Sequence, residues 1–135
     1  MLFRSTALTA NTFTKEGYRF VGWNTVADGS GTAYTDAQSV TLNAGLSLYA
    51  QWVMVYTIAF NANGGTGEAM ANLDATAGVD VVLTANAFSK DGYAFGGWAT
   101  ASDGKALYSD KAVVKDLTTT AGATVTLYAD RKSVV

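Results

Sequence analysis

Residues 12–31 read TFTKEGYRFVGWNTVADGSG, and residues 87–106 read AFSKDGYAFGGWATASDGKA. Aligned from Leu8 against Leu83, 14 of the 22 positions through Gly29 and Gly104 are identical. The offset is 75 at Trp23 and Trp98, 74 at Tyr34 and Tyr108, and 79 at Tyr49 and Tyr128. The changes in length fall in polar or Gly-containing segments, where loops tolerate them. Similarity held at a nearly fixed offset marks a duplicated module.

The duplication sets the domain organisation. Copy one spans residues 1–52 and copy two spans 53–135. Copy two carries an upstream segment, VYTIAFNANGGTGEAMANLDATAG, for which copy one has no counterpart, because Met1 already aligns with Thr76. At the other end DRKSVV aligns with QWVMVY, so a third copy would begin there and the chain reads as a window on a longer array.

Composition narrows the function classes. A length of 135 residues suits one ordinary domain or two small ones, and two modules of about 65 residues sit near the lower limit for a self-sufficient core. Alanine supplies much of the 49 % apolar fraction, so each core must rest on a few aromatic residues. The net charge is −2 with scattered basic residues, which excludes a nucleic-acid partner. The chain has no cysteine and no histidine, which removes disulfides, thiolate metal sites, cysteine nucleophiles and the commonest general base.

The opening MLFRSTALTA is too short in its apolar part for a secretory signal. The uncharged run from Leu46 to Phe60, LSLYAQWVMVYTIAF, is shorter than the roughly 20 residues a membrane-spanning helix needs. It reads as two abutting strands, and no membrane span is expected.

The local signals are those of strands. Tyr56, Ile58 and Phe60 alternate with Thr57, Ala59 and Asn61, the period of a half-buried strand, and NANGG ends it with turn residues. VDVVLTA and GYAFGGWAT form further strands. In the last strand Leu46, Leu48 and Ala50 correspond to Val125, Leu127 and Ala129, so these positions are expected to face the core. TDAQSV and SDKAVVKDL each suit one or two helical turns capped by Asp36, or by Ser109 and Asp110.

The GYxFxGW unit reads as architecture. Tyr18, Phe20 and Gly22 share one face of a strand and Val21 and Trp23 take the other, with the glycine marking a bulge or a close backbone approach. Trp23 and Trp98 are expected in the core at about 2 to 3 kcal/mol each, because so small a module cannot spare its largest side chains for the surface. Asp28 and Asp103 stand alone beside their glycines, which favours turns over calcium loops. NANGGTGE lacks the Lys-Ser/Thr end of a phosphate-binding loop. The acids sit mostly at expected turns. Glu16 and Asp91, which align at the strand entry, read as turn residues or partners of Lys15 and Lys90, so no enzyme, catalytic residue, metal or cofactor is expected.

YTIAFNANGGTG, LTANAFSKDGYAFGGWATASDGKALY and VTLYADR, together with LTANTFTKEGYRFVGWNTVADGSGTAY and LSLYAQW, resemble the Listeria-Bacteroides repeat, the internalin B-repeat type module of bacterial surface proteins. Copy two departs at Arg131, where the family has its last tryptophan, and at Gly96, where copy one has Val21. The resemblance implies a mainly β chain of two small tandem β-grasp-like (ubiquitin/SUMO-like) modules with little helix. It implies an extracellular place at the bacterial cell surface or cell wall, as a structural stalk or adhesion spacer. Partners would be other repeats of the same protein, a host or cell-surface protein, or a glycan.

In that family the module opens with the strand matching Val55 to Asn61. Copy one would therefore be incompletely folded, or would complete its sheet through strand exchange or a homodimer. The alternative function is a carbohydrate- or protein-binding module using surface aromatics, with Tyr34, Tyr49, Tyr108 and Tyr128 as the candidate ligand-binding residues.

Overall fold

A computed structural model describes residues 4–42 and 45–134; Met1, which aligns with Thr76, and the closing Val135 lie outside the described residues. The chain divides into two compact units, Met1–Met54 and Val55–Val135. The described residues are mainly β and hold no helix.

In the second unit the aromatic alternation of the opening segment dictates its placement. β5 spans Tyr49–Asn61, and its second-unit residues pair antiparallel with β6 (Leu73–Thr76) and parallel with β10 (Thr124–Ser133). β10 also pairs antiparallel with β8 (Tyr93–Ala99), and Trp98 bridges to Tyr108 beyond it. A short pair of β7 (Val81–Val82) with β9 (Val113–Val114) closes the opposite side. Tyr56, Ile58, Leu83, Trp98, Val114 and Leu127 are buried and form the core. Tyr56 and Ile58 are thus on the inward phase that the period of two predicts.

The first unit repeats the later part of this arrangement. β1 (Arg4–Ala7) pairs antiparallel with β4 (Ser39–Leu42), as β7 does with β9. β2 (Tyr18–Asn24) pairs antiparallel with the start of β5 and with β3 (Ala33–Tyr34). Among the described residues of this unit no strand corresponds to Val55–Asn61.

Four local expectations are corrected. The run from Leu46 to Phe60 is not two abutting strands: one unbroken strand covers its part from Tyr49 onward. TDAQSV and SDKAVVKDL hold no helix: each makes a turn, at Asp36–Ala37 or Asp110–Lys111, and runs into a strand, β4 or β9, with Ala37 and Lys111 in the left-handed region at φ 57° and 58°. The Asp36 and Asp110 carboxylates are spent elsewhere, each accepting at 2.8 Å from the backbone N–H of Asn11 or Asn86.

Trp23 does not take the face opposite Phe20. The β2 register slips between Phe20 and Gly22, and Val21 becomes the extra residue of a bulge. That insertion restores Trp23 to the face of Phe20, and the two rings meet edge to face at 5.2 Å. Phe95 and Trp98 repeat the contact at 5.0 Å. Last, Leu46 is exposed where Val125 is half-buried; among the described residues of the first unit no strand covers it.

Candidate functional site

The repeated residues build the turns that hold the sheets. In KEGY and KDGY the N–H of Tyr18 or Tyr93 donates to the carbonyl of Lys15 or Lys90 at 3.0 Å, and Gly17 and Gly92 supply φ of 80° and 81°. The lysines then lie over the tyrosine rings, at 4.3 Å for Lys15 and 4.7 Å for Lys90. At the Asp-Gly turns, Gly29 donates to Val26 and Gly104 to Ala101, each at 3.0 Å. The hydroxyl and N–H of Ser30 hold the exposed Asp28 carboxyl below its usual range. Asn11 and Asn86 each form the same local pair of bonds with the backbone of Phe13 or Phe88.

Two polar residues that composition did not single out anchor the same loop differently in each copy. Asn24 is buried and accepts from the N–H groups of Val26 and Gly31 at 3.0 Å while donating to Gly29 O. Ala99 stands at this position in the second copy, and Asn63 takes over by donating to Ser102 O at 2.8 Å and Ala129 O at 2.9 Å. The Arg131 guanidinium donates to the carbonyls of Ala62 and Asn63 at 2.7 and 3.2 Å, fixing the loop after the first strand. Trp52, at the corresponding position of the first copy, packs against Phe20 at 5.7 Å. The substitution thus accompanies the loop that follows the first strand of the second copy.

The four candidate tyrosines do not converge. Tyr34 pairs with Trp23 in register, and Tyr49 pairs with Asn24 one position on. Their side chains therefore leave opposite faces of the sheet. Tyr108 at Trp98 and Tyr128 at Ala99 repeat the offset. Tyr49 is 47 % exposed and the other three are half-buried. Among the described residues no group of three or more acidic side chains gathers to hold a metal ion.

The largest difference between the copies is apolar. In the second copy Phe60 from the first strand packs tilted against Trp98 at 4.9 Å, beside Phe88 at 6.3 Å, and Trp98, Leu83 and Leu127 are fully buried. In the first copy the Phe13–Trp23 pair persists at 6.2 Å, and among the described residues no ring takes the place of Phe60. Leu8, Trp23 and Leu48 are only half-buried, and Phe13 is 62 % exposed against 7 % for Phe88. Leu8, Thr9, Phe13, Trp23 and Leu48 line an open groove of about 270 Å³.

The duplicated GYxFxGW bulge, the Asp-Gly turn and the closing strand all coincide with the family model described as the Listeria-Bacteroides repeat domain, which matches residues 4–51 and again 56–130. The chain belongs to this repeat family. Among curated relatives, a protein of Evansella cellulosilytica provisionally named a Gly-rich membrane protein is 37 % identical over 99 residues, 67 % of this chain and 11 % of its own length. A second protein of that organism, provisionally named a membrane protein, is 33 % identical over 85 residues, 62 % of this chain and 12 % of its own length. The chain therefore spans about a ninth of the curated relatives it matches. No solved structure matches it. Among the described residues no helix is long and apolar enough to cross a membrane.

Proposed function

We propose that this segment is a structural stalk or adhesion spacer of a bacterial cell-surface protein, extracellular and without catalysis. The observation that carries the reading is the repeat itself: two Listeria-Bacteroides modules follow each other directly, and Met54 and Val55 are consecutive residues of one strand with no Gly- or Ser-rich linker. Repeats that abut in this way suit spacing better than independent action. The β-grasp-like reading of each module is part of the proposal. It is supported in the second copy by the parallel pairing of the module's first and last strands, each flanked by an antiparallel neighbour.

Nuclear spin relaxation on the intact chain tests the spacer. One tumbling time shared by amides of both units is expected, and two independent tumbling times would overturn it.

A glycan- or protein-binding role has one observation in its favour, the exposed ring of Tyr49. It would replace the spacer reading if a glycan array gave a ligand that Tyr49→Ala abolished.

A further inference from the structure

The bulge borders a cleft that recurs in both copies. In the first copy Val21, Trp23, Ala33, Tyr34, Gln38 and Gln51 help to line about 280 Å³, and every lining residue belongs to that unit. In the second copy Gly96 and Asp130, which correspond to Val21 and Gln51, line a cleft of about 480 Å³ with Lys105, Ala106 and Lys132. Gln51 is paired with Gly22 as Asp130 is with Gly97, which fixes the correspondence. The second copy has its strand over residues 55–61 and still shows the cleft, so the cleft does not depend on that strand. In the first copy it lies by Gln38, at the Ala7–Ser39 end of the β1–β4 pair and away from the Arg4–Leu42 end.

Two carboxamides of the first-copy cleft are anchored at one end and free at the other. Gln38 accepts through Oε1 from the N–H of Thr35 at 2.8 Å and from its hydroxyl at 3.1 Å. Gln51 donates through Nε2 to the carbonyls of Tyr49, Ala50 and Ala27 at 3.2, 3.3 and 3.4 Å. A Cβ at Gly29 would come within 2.9 Å of Gln51 Oε1, so the glycine makes room for that amide. Among the described residues neither Gln38 Nε2 nor Gln51 Oε1 has a hydrogen-bond partner. The cleft thus combines an oriented donor and an oriented acceptor on half-buried side chains, with no charged residue in its walls.

We propose that this cleft is a subsite for one uncharged sugar ring of a glycan. Each sugar hydroxyl both donates and accepts, so neighbouring hydroxyls satisfy Gln38 Nε2 and Gln51 Oε1 together. The apolar surfaces of Val21, Ala33 and Trp23 suit the C–H face of the ring. A volume just below the roughly 300–1,000 Å³ of ordinary small-ligand pockets suits one ring and not a longer segment. The second copy lacks both amides: Ala112 stands for Gln38 and Asp130 for Gln51, and the Asp130 carboxylate accepts from the N–H of Ala106 at 3.1 Å. With Lys105 and Lys132 beside it, that cleft is charged and serves as an internal control. The inference uses neither the spacer reading nor the ring of Tyr49, and each can fail without the others.

The test titrates the intact, isotope-labelled chain with maltotetraose, cellotetraose, mannotetraose and N-acetylated chitotetraose. At least one should give saturable shifts of the Gln38 side-chain amide and of the Val21 and Gly22 backbone amides, with a Kd on the order of 1 mM. The Gly96 and Gly97 amides should not move. Gln38→Glu keeps an oxygen for Thr35 and replaces the free donor by an acceptor. It should weaken binding at least about tenfold while the β2 resonances of the sugar-free protein stay in place.

Gln51→Leu removes the free acceptor and should weaken binding in the same way, whereas Tyr49→Ala should leave it unchanged. The proposal is overturned if none of these sugars gives saturable shifts at the cleft, or if either glutamine variant binds as the parent does. It is also overturned if a tetragalacturonate or an uncharged Ser-Gly tetrapeptide moves the same resonances equally well.

Discussion

Replacing Phe88 and Phe13 by alanine, one at a time, is the same chemical change at equivalent positions of two copies and should have very different costs. Burying a phenylalanine side chain is worth up to about 3 kcal/mol. Phe88 is 7 % exposed and realises nearly all of it; Phe13 is 62 % exposed and realises about two-fifths, near 1 kcal/mol. Truncating Phe88 also leaves a cavity against Trp98, which brings Phe88→Ala to about 3–5 kcal/mol. Phe13 opens to solvent, and no cavity term applies. The edge-to-face contact with tryptophan is nearly the same in both copies, at 6.3 and 6.2 Å, so it cancels from the comparison. The difference should be about 2 kcal/mol or more.

Residue-resolved hydrogen exchange in the intact chain separates the two units, with amides of β8 reporting on Phe88→Ala and those of β2 on Phe13→Ala. Equal losses, within about 0.5 kcal/mol, would refute the reasoning, since they would mean that Phe13 is covered in solution and the groove is not open.

Three further substitutions test how the sheets are built. Gly97→Ala places a Cβ 2.6 Å from the carbonyl oxygen of Tyr108 at φ +126°, and Gly22→Ala places one 2.9 Å from that of Tyr34 at φ +146°. Each should lower the unfolding free energy of its own unit by about 2–3 kcal/mol in urea titration, and a loss below about 1 kcal/mol would contradict the close approach. Arg131→Trp gives the second copy the residue of the first at that position, yet it should destabilise by about 1.5–3 kcal/mol. The charged bonds to Ala62 and Asn63 disappear, and a denaturation midpoint that stays or rises would show that these bonds are dispensable.

Much of this structure is short-range chemistry, and that part was legible in the residues. The duplication, the turn glycines, the inward alternation of Tyr56 and Ile58 and the glycine that lets Tyr34 or Tyr108 approach β2 or β8 all follow from residues close together in the chain. Where two local signals competed, pattern alone misled. The helical turns at Asp36 and Asp110 were lost to hydrogen bonds with Asn11 and Asn86, 25 and 24 positions away. The face of Trp23 depended on where the bulge fell, which the pairing with β5 decides. Of the four tyrosines, the sequence recorded that they recur but not that their register sends them to opposite faces.

The sequence by itself determined that this chain is one repeat written twice, because identical local patterns make identical turns and strands. Only the tertiary structure decided that the two copies are not equivalent. Burial at Leu48, Phe13 and Trp23 depends on a strand that the second copy brings from far along the chain and the first copy does not contain among its described residues. Nearly the same residues are therefore a closed core in one place and an open groove in the other.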